Sequence, residues 1–120
     1  VESYLRHQGN TFVERFDANS ILYITRAMDY FDLSKQFKGG LTEAFKNQKT
    51  KYLVISFSSD WLYTTKENKD IVIALNASGA NVSYSEIVTD KGHDSFLVNE
   101  PEFLKTLKGF IDSMYEKFKK

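Results

Sequence analysis

The sequence predicts an α/β chain in which a helical first third leads into a β-α-β-α segment built on a parallel sheet. Three observations carry that expectation. Leu53-Val54-Ile55 is an unbroken apolar run with Phe57 two residues on, and continuous hydrophobicity suits a parallel strand covered on both faces rather than one with a wet side. A second apolar segment, Val82 to Val88, follows after a helix-length interval. Before Lys51 the apolar residues recur at helical spacing and no segment reads as a strand.

In chain order, Val1 to Gln8 reads as one or two helical turns with Val1, Tyr4 and Leu5 on one face and Gly9 as a C-terminal stop. Phe12, Val13 and Phe16 continue the apolar spacing beyond it. Asp17 and Asn19 are cap-type residues ahead of a helical segment from Ile21 to Tyr30. Gly39-Gly40 punctuates the next stretch, and Leu41 to Gln48 reads as a short helix. After the first strand, Thr64 stands three residues before Glu67, the spacing of a capping box. That helix is expected to reach Ala77, to bury Ile71, Ala74 and Leu75, and to end at Ser78-Gly79. In the second strand Val82 and Tyr84 share a side, with Glu86 a candidate to join them. Pro101 suits the first turn of the last helix. There Phe103, Leu104, Leu107, Phe110, Ile111, Met114 and Phe118 form a broad apolar stripe, and Lys117, Lys119 and Lys120 suit the C-terminal dipole.

Composition narrows the function classes. Lys+Arg and Asp+Glu each number 16 in 120 residues, so the net charge is zero and no basic excess argues for nucleic acid or an anionic membrane as partner. The absence of cysteine removes disulfides, thiolate catalysis and the usual structural zinc sites. No apolar run approaches the roughly 20 residues of a membrane span. These features lead to the expectation of a soluble, cytoplasmic protein without a metal. Two strands fall short of the four to six that sheets usually contain, and the chain opens on Val1 directly into a helical pattern. The expectation is therefore the C-terminal part of a larger α/β protein.

The chemistry-bearing residues sit where the strands end. The first apolar run breaks into Ser58-Ser59-Asp60, and the second is followed by Gly92-His93-Asp94-Ser95-Phe96. In open parallel sheets the carboxyl ends of the strands are where ligands bind. An acid after one strand and a histidine after the next follow the order of the last two members of a Ser…Asp…His triad of the α/β-hydrolase kind. The pairing predicts Asp60 and His93 within hydrogen-bond reach. His7 is read as a helix-surface residue and Trp61 as a packing residue. Asp94 has two readings, a cap for the turn that follows it or a substrate contact.

Phe16-Asp17-Ala18-Asn19-Ser20, Ser59-Asp60-Trp61-Leu62-Tyr63 and Gly92-His93-Asp94-Ser95-Phe96 together resemble the C-terminal half of the homoserine O-acetyltransferase family. The opening Val1-Glu2-Ser3-Tyr4-Leu5, with Gln8-Gly9 and Phe12, is similar to the end of that family's helical lid. The resemblance implies the C-terminal part of an α/β-hydrolase fold, with residues 1–48 as the end of the lid and a return helix and residues 49–120 as the C-terminal βαβα. It implies transfer of acetyl from acetyl-CoA to the hydroxyl of L-homoserine in methionine biosynthesis. Acetyl-CoA is then a substrate, with no cofactor bound permanently, and the full-length protein is a homodimer formed largely through lid helices. His93 is implied as general base and acid, Asp60 as the residue that fixes its tautomer, and Asp94 as a contact for the homoserine amino group. The family commonly has proline after the aromatic residue of its Ser-Asp-Trp motif where this chain has Thr64-Thr65, and alanine where it has Ser95. No Gly-x-Ser-x-Gly elbow occurs in these residues, so the nucleophile and oxyanion hole are expected upstream and the 120 residues alone are expected to be inactive. Rival readings are a succinyl- or serine-specific relative, an esterase using the same Asp–His pair, and a non-catalytic binding module.

Overall fold

The computed structural model describes residues 1–119. The expected dipole contribution of Lys120 and the side chain of Phe118 lie outside the described residues. The chain divides into two compact units, 1–33 and 34–120.

The first unit is helical. α1 spans Glu2–Arg15 and α2 spans Ala18–Tyr30. Gly9 does not stop α1: its φ is not positive, as an αL stop requires, and an interior glycine costs only about 1 kcal/mol relative to alanine. The helix instead ends at Phe16, whose amide donates to the Phe12 carbonyl. Asp17 caps α2 as expected, its carboxylate accepting from the Ser20 amide at 2.6 Å. Asn19 lies inside the first turn. No residue of either helix is buried.

The second unit carries the sheet. α3 (Leu33–Gln36) bridges the boundary, and α4 is Gly40–Ala44. α4 is shorter than the sequence led us to expect: Phe45 leaves helical geometry and Asn47 takes a positive φ of 61°. Then follow β1 (Lys51–Phe57), α5 (Thr65–Ala77), β2 (Asn81–Ile87), a 3₁₀ turn (His93–Leu97) and α6 (Pro101–Phe118). β1 and β2 pair in parallel, from Lys51 opposite Asn81 to Phe57 opposite Ile87. They form the one sheet among the described residues.

Alternation along the strands assigns the two long helices to opposite faces. Ser56 and Glu86 face α5, where they meet Thr65 and Lys69. Phe57 faces α6 and packs against Phe103 with ring centroids 5.6 Å apart. The Thr64–Glu67 capping box forms in full, each residue satisfying the other's backbone amide. Among the described residues the buried apolar side chains are Phe57, Ala74, Leu75 and Ile87. Ile71 stays 38% exposed, although its i, i+4 spacing to Leu75 puts it on the same side of α5, one turn nearer the helix start. The α6 stripe is also narrower than expected: Phe103, Leu107, Phe110 and Met114 are half-buried while Leu104 and Ile111 face outward.

Candidate catalytic dyad

β1 and β2 end side by side at Phe57 and Ile87, and the Ser58 amide adds a last rung to the Ile87 carbonyl at 2.9 Å. The two loops that leave these ends carry Asp60 and His93. Asp60 closes a turn, its amide bonded to the Phe57 carbonyl at 3.0 Å. Its carboxylate then divides its work. Oδ1 accepts from the amides of Leu62 and Tyr63 at 2.9 and 3.0 Å, an arrangement that fixes the carboxylate plane. Oδ2 lies 2.9 Å from Nδ1 of His93. The expected proximity of the two residues is thus present.

The Asp60 side chain is only 6% exposed. Burial pushes its carboxyl pKa up, but the hydrogen bond from His93 and the amides of Tyr63 and Leu62 outweigh this and hold it below the ordinary carboxylate value. An ionised carboxylate can only accept, so the bond requires a proton on Nδ1, and Nε2 is then the nitrogen that carries the lone pair whenever the imidazole is neutral. The His93 side chain is 31% exposed, enough for a reacting group to reach it. Tyr63 and Phe96 flank the ring at centroid distances of 5.1 and 5.6 Å. A base with an oriented ring and an available nitrogen can activate a hydroxyl.

Asp94 follows in the first turn of the 3₁₀ segment, exposed, and its carboxylate makes no hydrogen bond or ion pair among the described residues. Trp61 is 83% exposed and therefore does not pack as the sequence leads one to expect. His7 is exposed on α1. Among the described residues no cluster of His, Cys, Asp or Glu is arranged to hold a metal ion, and no helix is long and apolar enough to cross a membrane.

Sequence reasoning passed over the groups that join the two loops. Ser58 Oγ donates to the Thr89 carbonyl at 3.1 Å and accepts from the Thr89 amide at 3.0 Å. Ser59 Oγ accepts from the Gly92 amide at 2.9 Å, and Ser95 Oγ donates to the Gly92 carbonyl at 2.6 Å. The available signal was the run of small hydroxyl residues at both strand ends. Further along, Lys91 bridges Glu100 and the Asn99 carbonyl at 3.0 and 3.1 Å, and Thr89 Oγ1 donates to Glu100 at 3.1 Å, anchoring the histidine loop to the start of α6.

No protein-family model matches the chain. Among curated proteins it is 65% identical over 117 residues to the homoserine O-acetyltransferase of Pelagibacter ubique, covering 98% of this chain and 32% of the relative. It is 58% identical over 118 residues to that of Rhodospirillum rubrum, covering 98% and 30%, and 60% identical over 113 residues to that of Rhodopseudomonas palustris, covering 94% and 28%. The chain spans less than a third of the length of these curated relatives. Identity this high, sustained across nearly all of its residues, means that the chain belongs to the homoserine O-acetyltransferase family.

Proposed function

We propose that these residues form the C-terminal part of a homoserine O-acetyltransferase with an α/β-hydrolase fold, in which residues 1–48 end the helical lid and residues 49–120 complete the core. The protein moves the acetyl group of acetyl-CoA to the hydroxyl of L-homoserine, acts in the cytoplasm and assembles as a homodimer. The observation that carries this reading is the Asp60–His93 pair at neighbouring strand ends, with Oδ2 to Nδ1 at 2.9 Å and Oδ1 tied to two amides.

His93 Nε2 takes the proton of a serine supplied from outside these residues as that serine attacks the thioester. It returns the proton to the coenzyme A leaving group, then repeats the cycle with the homoserine hydroxyl. Asp60 keeps the proton on Nδ1 and stabilises the imidazolium that forms at each proton transfer. The exposed Asp94 carboxylate offers a charge partner for the homoserine ammonium.

In the full-length enzyme, His93→Ala abolishes acetyl transfer because the serine is no longer activated. Asp60→Asn lowers kcat by about 10⁴-fold, the scale of the same change in a serine-protease triad. The assay follows O-acetylhomoserine formation beside acetyl-CoA hydrolysis. Near-normal turnover in either variant overturns the dyad, and hydrolysis exceeding transfer in the wild type overturns the transferase reading.

A further inference from the structure

Beyond the Ser58–Ile87 rung the two strands diverge into loops, and the direct links between those loops ahead of the acid–histidine bond run through serine hydroxyls. Ser58 bonds both polar groups of the Thr89 backbone and so imitates one more rung of the ladder. Ser59 comes next. It is the residue immediately before Asp60, and it bonds the amide of the residue immediately before His93. One hydrogen bond therefore sits a single residue upstream of both members of the pair.

The group it holds has a backbone that needs holding. Gly92 has φ 69° and ψ −152°, a region open essentially to glycine alone. A Cβ built there would meet nothing within 4 Å, so it is the backbone conformation, and not crowding, that demands glycine. Glycine has wide freedom to leave such a conformation. Its amide is held by Ser59 and its carbonyl by Ser95, which is fully buried. With both peptide groups pinned, the direction in which His93 leaves the chain is set.

We propose that Ser59 is a positioning residue of the dyad: its hydroxyl, by accepting the Gly92 amide, sets the separation and angle at which His93 Nδ1 meets Asp60. The proposal rests on the reading of Asp60 and His93 as a catalytic pair. Ser95 supports the same glycine from the other side. Ser59 itself touches no reacting atom, so its loss acts on the turnover step and leaves substrate binding in place.

The test uses the full-length enzyme with Ser59→Ala, Ser59→Thr and, as a reference, His93→Ala. Ser59→Ala is expected to lower kcat for acetyl transfer by about 10- to 100-fold, the scale of a small misplacement of a catalytic group, with KM unchanged. The far-downfield proton resonance of the Nδ1–H shared with Asp60 is expected to move upfield or broaden in the same variant. Ser59→Thr, which keeps the hydroxyl, is expected to restore both. If Ser59→Ala keeps wild-type kcat while His93→Ala is inactive, the positioning role is overturned and the dyad stands. A fall in kcat with an unaltered downfield resonance also overturns it, since the pair would then be intact. Turnover retained by His93→Ala overturns the underlying reading instead.

Discussion

Asp60 is pulled two ways, and the balance has a pH signature. Burial alone would raise its pKa, yet the bonds from His93 and from the Tyr63 and Leu62 amides bring it below the ordinary value. A carboxyl whose pKa is lower folded than unfolded adds stability that is complete above the unfolded value, about 3.9, and that is lost as pH falls through the folded value. Denaturant unfolding followed from neutral to acid pH is therefore expected to show a smaller acid-range loss in Asp60→Asn than in the wild type, with the variant less stable at neutral pH. Parallel curves for the two proteins would remove the bond from the stability of the fold. Asp60 and His93 were legible because each follows a segment that reads as a strand. Ser59 was not, because its partner Gly92 is fixed by the β1–β2 register, a long-range fact that no local pattern carries. Trp61 differs from its expectation because aromatic character argues for burial, whereas its ring is 83% exposed in the loop after β1.

Among the elements, those with two agreeing signals were the ones the sequence located well. β1 combined a continuous apolar run with a polar break, and α5 combined a capping box with a Ser-Gly end; both have boundaries close to those expected. α1 and α4 rested on a single signal each. Gly9 reads as the end of α1, but a single interior glycine costs only about 1 kcal/mol, a penalty that the continuing helix absorbs. α4 is too short for periodicity to define its end. Burial along α5 shows the same limit, since spacing alone did not separate Ile71 from the buried pair. The structure makes the distinction measurable. Leu75 is 1% exposed and Ile71 38%, so Leu75→Ala is expected to cost about 2–5 kcal/mol, as buried leucines do, and Ile71→Ala markedly less. Urea midpoints of the two variants check this, and equal shifts would mean that the α5 packing face is misassigned.

For the molecule as a whole, the apolar surface left uncovered is large in both units. In the helical unit Tyr4, Leu5, Phe12, Leu22, Tyr23 and Met28 are each more than half exposed. In the sheet unit four apolar side chains among the described residues form the core, and Leu53, Val54 and Ile55 remain only half-buried although their continuous hydrophobicity calls for cover on both faces. Parallel strands with open edges and apolar faces pair readily with other chains. Residues 1–120 on their own are therefore expected to self-associate at micromolar concentration, as read by light scattering and sedimentation. They are also expected to be silent in acetyl transfer. Ser58, Ser59 and Ser95 are spent on Thr89 and Gly92, and none stands on a strand-to-helix elbow from which it could be acylated. A monodisperse monomer that forms O-acetylhomoserine from acetyl-CoA and homoserine would contradict both expectations. It would mean that the Asp60–His93 pair finds its nucleophile within these residues.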